Sequence, residues 1–289
     1  MQFLLSTARV ISLLCLAAAP WAASAQVAAV QPTHKGFLSS SDPTMTFLFP
    51  AQDAVATLVF IPGGEGRRGF GTDVTEKHGY FSVYPFNRML RSLSDSGATS
   101  GRFNVVIFDS PTVLHTSSHW SGQRTGADHL SRVADVVRHY KEQLGKPVWL
   151  MGHSMGSISV TEAYKRLQDE QRAALVSGLI VSAGQNGTSL NWETTTLPVL
   201  VLHHEADPCA GNTVGHARRI VTKLHDAGNL SADLVLVSGG SSHGDSCRNG
   251  YHMYLGIEPE VAKVLDAFMS RHSATSAVKT PSTPEERKP

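Results

Sequence analysis

A chain of 289 residues, 41% of them hydrophobic, is long enough to bury a large core, and its 25 Lys+Arg nearly cancel its 24 Asp+Glu to leave a net charge of +1. With no basic cluster outside the short C-terminal tail, it lacks the electrostatic footprint of a nucleic-acid or anionic-membrane binder. The expected partner is therefore a small molecule.

The N-terminus carries Arg9, the apolar run Val10 to Ala19, then Pro20 and the small-residue triplet Ala23-Ser24-Ala25. This is the layout of a cleavable secretory signal over residues 1–25. The run falls short of the roughly 20 apolar residues that cross a bilayer, and no later segment reads as a span, so no stable membrane insertion is expected. A periplasmic or secreted location follows, and what remains fits one domain. Of the three cysteines, Cys15 leaves with the signal. Cys209 and Cys247 remain as a pair in an oxidising compartment, where a disulfide between them is expected.

Residues 26–53 are poor in apolar period and rich in Ser, Thr and Pro, and read as an N-terminal arm with at most short edge strands. From Ala54 short β-branched runs follow one another: Val55 to Ile61, Phe103 to Phe108, Val148 to Met151, Leu179 to Val181, Val199 to Leu202 and Leu234 to Val237. Helical periods fall between and after them: Pro85 to Leu93, Gly126 to Leu144, Ser157 to Gln168, Thr213 to Ala227 and Pro259 to Arg271. Strand and helix in alternation predict a mostly parallel central sheet with helices on both faces over residues 54–272. Ligands bind such a sheet at the carboxyl ends of its strands, so the loops there are where chemistry is sought. Residues 273–289 are Ser/Thr/Pro/Lys-rich without apolar period and are expected to be disordered.

Val148-Trp149-Leu150-Met151 runs directly into Gly152-His153-Ser154-Met155-Gly156 and then into a helical stretch. A G-x-S-x-G between strand and helix is the context of a nucleophile elbow, with Ser154 at the tip and the two glycines making room for it. A serine hydroxyl is a poor nucleophile near neutral pH, so it needs a histidine to take its proton and a carboxylate to orient that histidine. Both should follow the serine, acid first. Asp207 lies in the loop beyond the run Leu197 to Leu202 and is the expected acid, with Glu205 as its rival and a plain helix-capping role as the bland alternative. His243 and His252 both follow the last strand, and spacing alone does not separate them as the base, although His252 sits closer to the terminal helix.

An acyl-transfer oxyanion needs two backbone N–H groups. Met155 supplies the first. The second falls in Ile61-Pro62-Gly63-Gly64-Glu65-Gly66, where Gly64 is the expected donor, with Glu65 next. The G-K-[ST] ending of a phosphate-binding loop is absent there. A bond between Cys209 and Cys247 would tie the loop of Asp207 to the loop of His252. His115 with His119, and His203 with His204, have no recognised zinc spacing, so neither a metal nor a cofactor is expected. Asn87 and Arg91, four apart on one helical face, read as a solvated or structural pair.

Taken together, Gly63-Gly64, Ser154, Asp207 and His252 on alternating strands and helices resemble the α/β-hydrolase superfamily over residues 54–271. Asn87 to Arg91, Phe108-Asp109-Ser110-Pro111, Pro147 to Leu150, Leu197 to Cys209 and His252 to Val261 resemble, more narrowly, a group of exported proteobacterial α/β-hydrolase-like proteins of undefined substrate. In that group the histidine before the Gly-Ile-Glu stretch is the base, which implies His252, and the resemblance also supports the disulfide. Only Ser182 to Leu197 separates two strands where related enzymes insert a cap, so no large cap domain and a shallow site are expected. The expected function is hydrolysis of small or extended carboxylic esters through an acyl-enzyme on Ser154. Acyl transfer or peptide cleavage by the same groups, and a catalytically silent periplasmic binding protein, are the alternatives.

Overall fold

The computed structural model describes residues 26–34, 41–66, 85–111 and 123–276. The signal stretch and most of the C-terminal tail therefore lie outside the described residues. Among the described residues eight strands form one sheet in the order β1-β2-β4-β3-β5-β6-β7-β8. They are β1 (Gln26–Val30), β2 (Thr44–Phe49), β3 (Ala56–Ile61), β4 (Phe103–Asp109), β5 (Val148–His153), β6 (Gly178–Ser182), β7 (Val199–His204) and β8 (Ala232–Val237). The ladders from β4 through β3, β5, β6 and β7 to β8 are all parallel.

β3 is buried at every position because helices cover both faces of the sheet. Its side chains alternate between two cores. Val59 and Ile61 join Val106, Phe108, Val148 and Leu150 beneath α2 (Ala127–Leu144), α3 (Gly156–Asp169) and α4 (Val214–Asp226). Leu58 and Phe60 join Val105, Ile107, Trp149 and Met151 on the opposite face, under α1 (Pro85–Arg91) and α5 (Glu258–Ser276). Burial of each such side chain contributes about 1.5 to 3 kcal/mol.

The N-terminal arm differs from expectation. β1 is an edge strand, but β2 lies inside the sheet, antiparallel to both β1 and β4. Its Thr-Met-Thr-Phe-Leu-Phe run is itself β-branched and aromatic, and both threonines are buried. The Thr46 hydroxyl meets Tyr140 Oη at 2.6 Å, so polar residues that diluted the sequence signal are satisfied in the core. The terminal helix likewise runs on to Ser276, into the stretch expected to be disordered, where Trp149 Nε1–H donates to Ser273 Oγ at 3.3 Å.

Between β6 and β7 there is only a short helical turn at Trp192–Thr194, too little chain for a cap. Among the described residues no helix is long and apolar enough to cross a membrane.

Candidate active site

Ser154 occupies the turn between β5 and α3 with φ +53°. A left-handed backbone costs a non-glycine residue roughly 1 to 2 kcal/mol, and three hydrogen bonds hold it there. Ser154 N–H donates to Ser182 O at 2.9 Å, while Ser157 donates to Ser154 O from its backbone N–H at 3.0 Å and from its hydroxyl at 2.6 Å. The flanking glycines are sterically required, since a Cβ on Gly152 would fall 2.2 Å from Gly156 O and one on Gly156 would fall 2.2 Å from Ile61 O. Strained residues that the surroundings over-determine concentrate at functional sites.

β7 delivers Asp207. Its carboxylate is 0% exposed and lies 2.7 Å from His252 Nδ1, while Oδ1 accepts the Cys209 N–H at 2.9 Å. An ionised carboxylate only accepts hydrogen bonds, so His252 carries its proton on Nδ1 and leaves Nε2 as a bare acceptor. That Nε2 is buried and has no hydrogen-bond partner among the described residues, Ser154 Oγ included. His252 reaches this place from a short helical turn, Gly250–Met253, closed by Tyr254 in the left-handed conformation at φ +56°.

The rivals lie elsewhere. His243 is exposed, with its backbone N–H on Ser241 Oγ at 3.1 Å, and Glu205 is exposed with its N–H on Val237 O at 2.9 Å. Cys209 and Cys247 are joined by a disulfide that closes 38 residues and links the loops after β7 and β8.

The residue after Ser154, Met155, is buried at the start of α3. Gly64 has φ +54° in the loop after β3, and Gly63 beside it lies directly against Ser154. Asn87 is buried, and Arg91 pairs with Asp95 at 3.0 Å on the surface. His115 and His119 lie outside the described residues. Among the described residues no group of three or more His, Cys, Asp or Glu could hold a metal ion.

Five contributors escaped sequence reasoning. His203, fully buried at the end of β7, points Nε2 at Asn212 O (3.2 Å) and Asp207 Oδ2 (3.5 Å). Two acceptors face that nitrogen, so it carries the ring proton. Desolvation is the largest cause that pushes the His203 pKa down, ahead of the opposing pull of Asp207, and keeps the ring neutral. Behind His252 runs a buried chain in which His153 Nδ1 meets Ser182 Oγ at 3.0 Å and Ser182 Oγ meets Tyr254 Oη at 2.9 Å. Tyr254 in turn donates to Leu202 O at 3.1 Å. The His153 ring packs 5.0 Å from that of His252. The fifth is Arg124, whose guanidinium reaches the loop after β3. No motif announces these residues, and apart from those of His203 their partners are distant in sequence.

A sheet with this strand order, a strained serine after β5, a carboxylate after β7 and a histidine after β8 defines a hydrolase framework of known type. The sequence pattern of the alpha/beta hydrolase family matches residues 58–219, more than half of the chain, and the protein belongs to that family. No curated protein matches it in sequence.

Among solved structures, brefeldin A esterase, described as a bacterial homologue of human hormone-sensitive lipase, is similar with a TM-score of 0.56 at 12% identity, over 87% of this chain and 78% of that one. An esterase domain from Rhodothermus marinus is similar with a TM-score of 0.53 at 13% identity, over 87% of this chain and 100% of that one. A protein of unknown function from Agrobacterium tumefaciens is similar with a TM-score of 0.54 at 14% identity, over 86% of this chain and 98% of that one. Identities this low establish the shared fold and nothing narrower.

Proposed function

We propose that the protein is an exported serine hydrolase that cleaves carboxylic esters of small or extended substrates through an acyl-enzyme on Ser154. His252 Nε2 takes the proton as Ser154 Oγ attacks the carbonyl, and Asp207 holds the imidazole in the required tautomer and steadies its positive charge. The N–H groups of Met155 and Gly64 receive the oxyanion. His252 then returns its proton to the departing alcohol, and water repeats the cycle on the acyl group. No cofactor takes part.

One observation carries the reading: the 2.7 Å contact between His252 Nδ1 and the fully buried Asp207 carboxylate, which leaves Nε2 as the only open acceptor of that ring. Two esterases among the similar structures and the absence of a cap between β6 and β7 favour ester substrates in an open site. Export is favoured by the leader-like residues 1–25 and by the paired Cys209 and Cys247.

A fluorophosphonate probe is expected to label Ser154 in the wild type and to leave Ser154→Ala unlabelled and inactive on short p-nitrophenyl esters. Absence of label from a folded wild type sinks the reading. Secreted material should begin at Gln26.

A further inference from the structure

The loop after β3 has its carbonyl oxygens held by a buried guanidinium. Arg124, 0% exposed, donates from one Nη to Pro62 O at 3.0 Å and to Ser159 Oγ at 3.1 Å, and from the other to Gly64 O at 2.7 Å. The carbonyl between them, Gly63 O, accepts the Gly66 N–H at 3.0 Å. Three consecutive peptide units are therefore anchored through their oxygens.

A trans peptide is planar, with its N–H opposed to its C=O, and the described residues contain no cis bond. Anchoring those oxygens thus also sets the directions of the N–H groups of Gly63, Gly64 and Glu65. These are the groups from which the second oxyanion donor must come. Burying a charge is expensive unless its donors are satisfied, and this arginine spends two of its bonds on the backbone of one loop. The planar fork suits that task, because it grips two carbonyls and a hydroxyl in fixed relation where an ammonium would offer a single point. The third bond, to Ser159, ties the same loop to α3, the helix that begins beside Ser154.

We infer that Arg124 is a positioning residue for the oxyanion hole, holding the peptides of Pro62 to Glu65 in register with Ser154 through its bonds to Pro62 O, Gly64 O and Ser159 Oγ. The inference rests on the serine-hydrolase reading. Hydrogen bonds to the carbonyls also polarise those peptides and strengthen their N–H groups as donors.

The test compares wild type, Arg124→Ala and Ser159→Ala in ester turnover and in affinity for a trifluoromethyl ketone, which forms a tetrahedral adduct with an active serine. Arg124→Ala is expected to lose about 10- to 100-fold in kcat at nearly unchanged KM, up to the scale of a catalytic group misplaced by about 1 Å. Ketone affinity should fall in step, and added guanidinium should restore part of kcat, which a merely structural loss would not allow. Wild-type kinetics in Arg124→Ala, or a loss that falls on KM and ignores guanidinium, overturns the inference. Should that variant fail to fold, Ser159→Ala decides: a several-fold lower kcat with KM unchanged supports the assignment, and wild-type kinetics overturns it. A wild type that takes no fluorophosphonate label sinks the hydrolase reading and this inference together, whereas a labelled wild type with an indifferent arginine sinks the inference alone.

Discussion

A Cβ placed on Gly63 would fall 2.9 Å from the Cβ of Ser154 and 2.9 Å from the carbonyl oxygen of His153. The loop after β3 and the turn after β5 are therefore in contact through a residue that can carry no side chain. Gly63→Ala must push one of two backbones aside, and an error of about 1 Å in a catalytic group costs on the order of a hundredfold in rate. At Gly64 a Cβ would meet nothing within 4 Å, though its φ of +54° still disfavours a side chain. Gly64→Ala should therefore cost about 1 to 2 kcal/mol of stability and much less in kcat than Gly63→Ala. Turnover and thermal melts of the two variants, side by side, check the contrast, and equal losses of kcat would refute it.

The carboxylate of Asp207 lies 2.7 Å from His252 Nδ1 and 3.5 Å from His203 Nε2, and the proposed chemistry needs the His252 ring in one tautomer. Asp207→Asn keeps the shape but offers His252 Nδ1 an amide that can donate, so Nε2 no longer reliably presents a lone pair. A fall of roughly 10⁴-fold in kcat is expected, while His243→Ala should stay within about twofold of wild type. Steady-state kinetics of the two variants separate the histidines, and the reverse pattern would move the base to His243.

Much of this was legible in the chain. The buried run expected at Val55 to Ile61 is found as Ala56–Ile61, because a largely apolar, β-branched segment bounded by turn residues has few other ways to hide its side chains. The G-x-S-x-G turn was legible because its glycines answer a steric demand set by backbone atoms alone. β2 was not, since its threonines look solvent-facing until Tyr140, far along the chain, supplies a partner for Thr46. Arg124 was invisible for the same reason: two of its acceptors are backbone carbonyls more than 50 residues away in sequence, and no side-chain pattern records a carbonyl. His203 read as half of an adjacent histidine pair, whereas it faces Asp207 and Asn212 while its neighbour bonds Gly239 O at 2.9 Å.

The Cys209–Cys247 bond closes 38 residues that contain α4, β8 and the loop leading towards His252. Restricting the unfolded chain over a loop of that length is worth about 4 kcal/mol in the entropy model. Reduction, or the Cys209→Ala/Cys247→Ala double variant, should lower the melting temperature by roughly 10 °C for a chain of this size. The loss of kcat should exceed any change in KM, because both loops carry groups of the proposed proton relay. Scanning calorimetry with and without reductant reads the first effect, and an unchanged melting temperature would show that the link does not constrain the fold.

Stability should fall in acid, and His129 on α2 is the group that most clearly requires it. The ring is fully buried, 2.8 Å from Ser159 Oγ. Its pKa is lowered to about 3, first by burial and then by the nearby charges of Arg124 and Arg132. In the unfolded chain the same ring titrates at its ordinary value of 6.5. Between those two values the unfolded state binds a proton that the native state refuses, so the stability present above pH 6.5 is lost as the pH falls towards 3. His203 and His216 are shifted downward as well, chiefly by burial, and add to the loss with the same sign. One proton is worth about 1.4 kcal/mol per pH unit, so His129 alone amounts to something on the order of 5 kcal/mol across the window. His129→Gln keeps a polar partner for Ser159 and removes the titration. Urea unfolding at pH 7, 5 and 4 should therefore show a shallower decline in the variant by up to one proton's slope, and identical slopes would mean that the ring is charged in the native protein or is not buried there.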